Sequence, residues 1–363
     1  MILAPGPRRG TVSVPVSKSH LHRLLIADFL AGDRSRLADN PSDSDDIRAT
    51  RRCLRALAAP GDAPVLDCGE SGSTLRFLAP VAAALGKHPE FRTAGRLADR
   101  PMVRYDTLQS GLHELRGDVS SQFVTGLLFA LPLLDGESRI RFLTPLESRG
   151  YVDMTLQVLA DAGIRIDEVS DGFRLAGPQR YRPQTGAAPE GDWSGAAFWY
   201  AMDALGSDVR VSGLRADSAQ PDRAVKPLLS RIVDDHTPVV DVSPCPDLFP
   251  ALAVAAACFP KPTRFTGTRR LRLKECDRAA AMEDVLRRFG VEANSSENEF
   301  LVRGTDSPLV AGPFTTYADH RIAMAIAVGA TRANGPVEID NAACAAKSYP
   351  GFFDEFARLA SRP

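Results

Sequence analysis

Lysine is scarce in this chain: six residues against 38 arginines among 44 basic positions. Other things are missing altogether. Its six cysteines form no C-x-x-C pair and its six histidines no H-E-x-x-H, so no zinc site is expected. At 363 residues the chain needs no disulfide staple, and reduced thiols in the cytoplasm are the expectation. No apolar run reaches the ~20 residues of a membrane span, and the first residues lack a signal-peptide layout. The net charge of −1 gives no electrostatic case for nucleic acid or membrane surfaces as partners. Neither G-x-x-x-x-G-K-[ST] nor G-x-G-x-x-G occurs, which argues against a nucleotide site. What remains is an ordinary globular protein of about two domains.

Six short polar clusters each open an apolar stretch. They are Ser17-Lys18-Ser19-His20, Glu70-Ser71-Gly72-Ser73-Thr74, Ser120-Ser121-Gln122, Gly191-Asp192-Trp193-Ser194, Cys245-Pro246-Asp247 and Ala318-Asp319-His320-Arg321. Ser, Thr, Asp and Asn suit helix N-caps because a side-chain oxygen satisfies an orphan backbone N–H. A helix apolar almost all round is a buried helix. The pattern predicts six buried helices with positive N-terminal ends available to anions.

Amphipathic stretches interleave with them. Residues 151–162 and 278–289 read as helices closed by Gly163 and Gly290, each followed by an alternating strand. Residues 102–115 look like a looser copy with a break at Gly111. Short strands are expected at 139–142, 209–211 and 337–339. The repeat is therefore strand, buried helix, strand, amphipathic helix, strand, three copies to a domain. The Pro/Gly-rich stretch 177–191 is the linker candidate. One domain is expected over 15–190, the other over 1–14 plus 191–363.

Where a bare positive charge suffices, this chain uses Arg, so a Lys in a polar cluster is a candidate for chemistry. Lys18, Lys274 and Lys347 qualify; Lys87, Lys226 and Lys261 read as solvated surface. Arg76 sits inside an apolar run, where a buried charge requires a partner. Lys18, Arg23, Arg76, Arg100, Lys274, Arg278, Arg321 and Lys347 lie at or near cluster openings, with Asp247 and Glu275 among them. That inventory suits small polyanions and one or two proton transfers.

At these residues the chain resembles the 5-enolpyruvylshikimate-3-phosphate synthase family. The matching pieces begin with 17–23, Asp43-Ser44-Asp45-Asp46, 68–76, Asp99-Arg100-Pro101, 119–123 and 148–151. They continue through 190–192, Pro246-Asp247, Leu273-Lys274-Glu275-Cys276-Asp277-Arg278, 317–324 and 347–350, in family order. The resemblance implies an α/β fold, a two-domain inside-out α/β barrel of six repeated βα units, some shortened here, with the active site in the cleft between domains. It implies transfer of the enolpyruvyl group of phosphoenolpyruvate to the 5-hydroxyl of shikimate 3-phosphate by addition and elimination, with no metal or organic cofactor. The catalytic residues would be Asp247, Glu275 and Lys18. Lys18, Ser19, Arg23, Ser120, Ser121, Gln122, Ser148, Asp247 and Lys274 would bind shikimate 3-phosphate. Lys18, Gly72, Arg100, Gln122, Arg278, Arg321 and Lys347 would bind phosphoenolpyruvate. Arg76 and His320 would support them. A monomer with small-molecule substrates is implied.

The sequence departs from the family pattern in places. Arg100 and Ser120 stand close together where relatives fit a helix-strand-strand stretch, and 192–247 looks trimmed. Arg270 and Glu70 stand where relatives carry Asn. The alternatives are a ligand-binding paralogue without turnover and the sister transferase acting on UDP-N-acetylglucosamine.

Overall fold

The buried helices are placed by a recurring rule: a strand enters, an apolar helix crosses, and a second strand returns parallel to the first. The computed structural model describes residues 1–184 and 186–360. In it, strand Val65–Gly69 pairs in parallel with Glu90–Thr93 across helix Gly72–Ala84. Gly111–Arg116 pairs with Gly136–Thr144 across Ser121–Ala130. Val239–Asp241 pairs with Pro262–Thr266 across Phe249–Ala257. Gly312–Phe314 pairs with Val337–Ile339 across His320–Ala330. Arg9–Ser13 pairs with Asp208–Ser212, which follows helix Trp193–Ala204. Parallel strands cannot be joined by a hairpin, so each return needs a crossover, and the helix supplies it. The helix N-terminus then sits just past the C-terminal end of the entering strand.

The chain divides into two compact units, Met1–Ser17 with Glu190–Pro363, and Lys18–Pro189. Each has its own apolar core. In the first, all nine residues of Phe249–Ala257 and all eleven of His320–Ala330 are buried, which accounts for their lack of a polar face. In the second, Lys18–Leu30, Gly72–Ala84 and Ser121–Ala130 supply 16 of the 35 buried core residues. Fully burying each large side chain stabilises the fold by about 1.5–3 kcal/mol.

Four of the six openings cap their helices through a side chain. Ser71 accepts from Thr74 N–H, Ser120 from Gln122, Asp192 from Ser194 and Asp319 from Arg321. The fifth differs. Pro246–Leu248 forms a 3₁₀ turn ahead of Phe249–Ala257, and no side chain caps either element. The Asp247 carboxylate is left to other partners.

Residues 102–115 correct the sequence reading. No helix forms there: 101–110 is irregular and Gly111–Arg116 is a strand. The ten residues before the strand are nearly all exposed, with only Leu108 buried, so no core contact stabilises a helix there. The unit therefore lacks its amphipathic helix. In the Lys18–Pro189 unit the amphipathic helix Asp45–Ala58 went unread in the sequence, and it buries Ile47, Cys53, Leu54 and Leu57. Helix Arg149–Asp161 ends as expected at left-handed Gly163, but its strand begins at Asp167 rather than Ile164. Lys261 is not simply solvated: its ammonium donates to the Val233 and Asp235 carbonyls, both at 2.6 Å. Lys87 likewise donates to the Gly61 carbonyl.

Candidate functional site

In the unit containing Glu190–Pro363, one carboxylate gathers three cations. Asp247 Oδ1 accepts from Lys274 Nζ at 3.1 Å and from Arg278 Nη1 at 2.8 Å; Oδ2 accepts from Arg321 Nη2 at 2.9 Å. Arg278 is the hub. It also donates to Glu275 Oε2 at 2.7 Å and, through Nε, to Asp319 Oδ2 at 2.8 Å. Asp319 is fully buried, and its Oδ1 also caps the Arg321 backbone N–H at 2.8 Å. One residue thus holds Arg278 and fixes the start of the helix bearing His320 and Arg321. The three carboxylates balance the three cations.

This balance sets the protonation states. Burial works against the charge on Asp247, but Arg321, Lys274 and Arg278 outweigh it and hold the carboxyl well below the ordinary range. Burial lowers the Lys274 pKa, with Asp247 opposing and Arg278 adding to the effect. The Arg278 guanidinium is buried too, yet Asp319, Glu275 and Asp247 push its pKa well above the usual value. Burial chiefly pushes the Cys276 thiol up, so it is no nucleophile here. Its Sγ lies 3.6 Å from Asp319 Oδ2.

The backbone entering this site is strained. Tyr317 and Ala318 have φ of 55° and 51°, a left-handed pair with side chains that disfavour it. Lys347 is buried at the end of the Ala342–Lys347 turn, and His320 is buried at the helix start. Arg270 is buried as well and donates to the Ser243 carbonyl at 2.6 Å.

In the Lys18–Pro189 unit the cations are held differently. Arg23 is buried, and its Nε donates to Thr155 Oγ1 at 2.9 Å and its Nη2 to the Tyr151 carbonyl at 2.8 Å. A third bond runs to the Ser19 carbonyl. Arg23 has no carboxylate partner among the described residues, and burial lowers its pKa to about 9. Arg76 donates to the Pro101 carbonyl from Nε and Nη2, and from Nη1 to Gln122 Oε1 at 2.6 Å. Gln122 in turn donates to Ser73 Oγ at 2.9 Å. A Cβ at Gly72 would stand 2.7 Å from Arg76 Nη1 and 3.2 Å from Arg100 Nη1. Two guanidinium groups and a helix N-terminus converge beside Gly72, an arrangement suited to an anion.

Lys18 pairs with Asp46 at 2.8 Å. Ser120 caps its helix, Ser121 follows at the first turn, and Ser148 is buried in a left-handed conformation at φ 53°. The structure thus brings together Asp247, Glu275, Lys274, Arg278 and Arg321 in one unit. It brings together Gly72, Arg76, Arg100 and Gln122 in the other, with Arg23 beside Ser19 there. The sequence reading missed Asp46, Thr155 and Asp319 as partners. Asp319 was legible as a cap, and Asp46 sits in a matched motif, but Thr155 lies 132 residues from Arg23 and gave no signal.

The sequence model of the EPSP synthase (3-phosphoshikimate 1-carboxyvinyltransferase) family matches residues 3–115 and 103–356. A 3-phosphoshikimate 1-carboxyvinyltransferase of Clostridium kluyveri is 38% identical, covering 98% of this chain and 96% of that protein. That alignment runs over 411 positions, longer than this chain, as expected where segments have been trimmed. An EPSP synthase structure from Acinetobacter baumannii superposes with a TM-score of 0.75 at 23% identity, covering 99% of this chain and 97% of that one. The enolpyruvyl transferase NikO from Streptomyces tendae gives 0.70 at 15% identity, covering 99% and 97%. These structures share the fold. No helix among the described residues is long and apolar enough to cross a membrane.

Proposed function

The chain belongs to the EPSP synthase family, and we propose that it transfers the enolpyruvyl group of phosphoenolpyruvate to the 5-hydroxyl of shikimate 3-phosphate, releasing phosphate. The observation that carries the reading is the Asp247 cluster: a carboxylate neutralised by three cations, with Glu275 tethered to the same arginine.

In this reading Lys274 joins Ser120, Ser121 and Ser148 on the phosphate of shikimate 3-phosphate. Ser19 and Arg23 take its carboxylate, for which a buried guanidinium held only by neutral oxygens is complementary. Gln122 lies against the ring. Arg278, Arg321 and Lys347, with Arg100 and the Gly72 backbone, take phosphoenolpyruvate, while Lys18 leaves Asp46 to touch both substrates. Arg76 and His320 support these positions.

The mechanism follows from the exchange of partners. Each substrate anion that takes a cation from Asp247 removes part of what holds its proton affinity down. Asp247 then becomes able to accept the 5-hydroxyl proton as that oxygen attacks C2 of phosphoenolpyruvate. Glu275 delivers a proton to the methylene carbon, giving a tetrahedral intermediate. Loss of phosphate and return of the methyl proton to Glu275 restore the enol ether. The expected setting is a monomer acting in the cytoplasm on small molecules.

The test is phosphate release at micromolar enzyme. The reading expects release only when both substrates are present, in step with product. No release with both substrates bound would leave a binding paralogue, and release with UDP-N-acetylglucosamine instead would transfer the activity to the sister reaction.

A further inference from the structure

A second cationic feature lies in the Lys18–Pro189 unit, and the transferase reading does not use it. A half-open cavity of about 630 Å³ is lined by Arg165, Arg180 and Arg182, with Tyr181, Ala31 and Gly163 among its walls. Ala31 and Gly163 follow the C-terminal ends of helices Lys18–Leu30 and Arg149–Asp161. Lys18 and Ser148 stand at the opposite ends of those helices. Thirteen residues at ~1.5 Å each put the cavity ~20 Å from them.

The three arginines are exposed, and none of their guanidinium groups has a hydrogen-bond acceptor or carboxylate partner among the described residues. Elsewhere this chain usually pairs its arginines: Arg149 bonds Glu168 and Asp153, and Arg139 bonds Asp171. The backbone carrying the three is fixed. Gln179 accepts from Arg165 N–H at 2.8 Å and donates to the Arg165 carbonyl at 2.9 Å. Arg182 N–H donates to the Ala162 carbonyl at 2.9 Å, and the buried Tyr181 hydroxyl donates to the Phe129 carbonyl at 2.7 Å. The two helix ends do not account for the charge. Their last carbonyls already accept backbone N–H groups of Ala31, Gly32, Asp33, Gly163 and Ile164. Each helix end counts as about half a negative charge, against three positive ones. The nearby Asp161 carboxylate accepts from Gln157.

We propose that this cavity is a second anion site, taking a small oxyanion of two or more charges, phosphate-bearing or polycarboxylate. Planar guanidinium groups grip either bidentately. The volume lies in the range of small-ligand sites. Helices Lys18–Leu30 and Arg149–Asp161 are joined by the Arg23 bonds to Thr155 and Tyr151, so an anion at one end would bear on the ends that carry Lys18 and Ser148.

The experiment is a titration of the full chain with pyrophosphate and, separately, citrate, read at the Gly163 and Arg182 backbone amides by NMR. Saturable shifts with either anion are expected. In the Arg180→Ser/Arg182→Ser variant, read at Gly163, the affinity should fall at least tenfold. Its melting temperature without anion should be unchanged or raised, since like charges are removed. Should that pair not fold, Arg165→Ser/Arg180→Ser serves the same purpose. No saturable shift with either anion, equal affinity in the variant, or tighter binding of a short RNA or anionic vesicles would overturn the proposal.

Discussion

The two units hold their functional cations in opposite ways. Around Asp247 every cation in the cluster is tied to a carboxylate: Lys274, Arg278 and Arg321 against Asp247, Glu275 and Asp319. Arg23 in the other unit is buried among hydroxyl and carbonyl oxygens alone. The difference teaches how an anion enters each place. At Arg23 an anion adds to a charge that the protein leaves uncompensated. At Asp247 an anion must compete with built-in carboxylates, and its arrival changes their affinity for protons. Binding and proton transfer are coupled only in the second. Lys18, paired with Asp46, carries that arrangement into the Lys18–Pro189 unit.

Four substitutions sharpen the contrast, from the largest expected effect down. Glu275→Gln should keep both substrates bound yet lose about 10³-fold in kcat, within the range of a general acid–base group. Near-wild-type turnover would remove Glu275 from the proton path. Asp319→Ala deprives buried Arg278 of two hydrogen bonds and the Arg321 helix of its cap. A loss of about 3–5 kcal/mol is expected in denaturant unfolding. Thr155→Val takes a neutral acceptor from Arg23, together with the hydroxyl's bonds to Thr125 and the Tyr151 carbonyl, and about 1.5–3 kcal/mol should be lost. If Thr155→Val cost as much as Asp319→Ala, the contrast between the two cation sites would fail. The smallest effect is in the pH dependence of Asp247→Asn. The folded-state pKa of Asp247 is depressed, so its contribution is present above the unfolded value of ~3.9 and is lost as pH falls through the folded value. The melting-temperature gap between wild type and variant should be constant near neutrality and narrow only below about pH 4.

Much of this was legible in the sequence because it is local. Caps announce themselves by Ser or Asp just ahead of an apolar run, and Ser71, Ser120, Asp192 and Asp319 do so. The scarcity of lysine pointed to Lys18, Lys274 and Lys347; the structure finds Lys347 buried and the other two in ion pairs. Long-range partners were not legible. Nothing in the spacing brings Thr155 to Arg23 or Arg100 to Gly72, because tertiary packing decides those meetings; Arg76 reaches Gly72 simply by lying one turn on in the same helix. Residues 102–110 misled because helical spacing alone does not show whether the apolar residues find a core to pack against, and here only Leu108 does. Asp46 and Asp319 were visible as motif members, but their role as counter-charges appears only when the cations they face are in place.

The central claim is that substrates take over the cations that hold Asp247 ionised. Carboxyl-labelled aspartate NMR, with Asp247→Asn assigning the signal, tests it directly. Without ligand, Asp247 should titrate well below the ordinary carboxylate range. With shikimate 3-phosphate and a non-reacting phosphoenolpyruvate analogue bound, its midpoint should rise by about one unit or more. A midpoint that stays where it was with both sites filled would contradict the account.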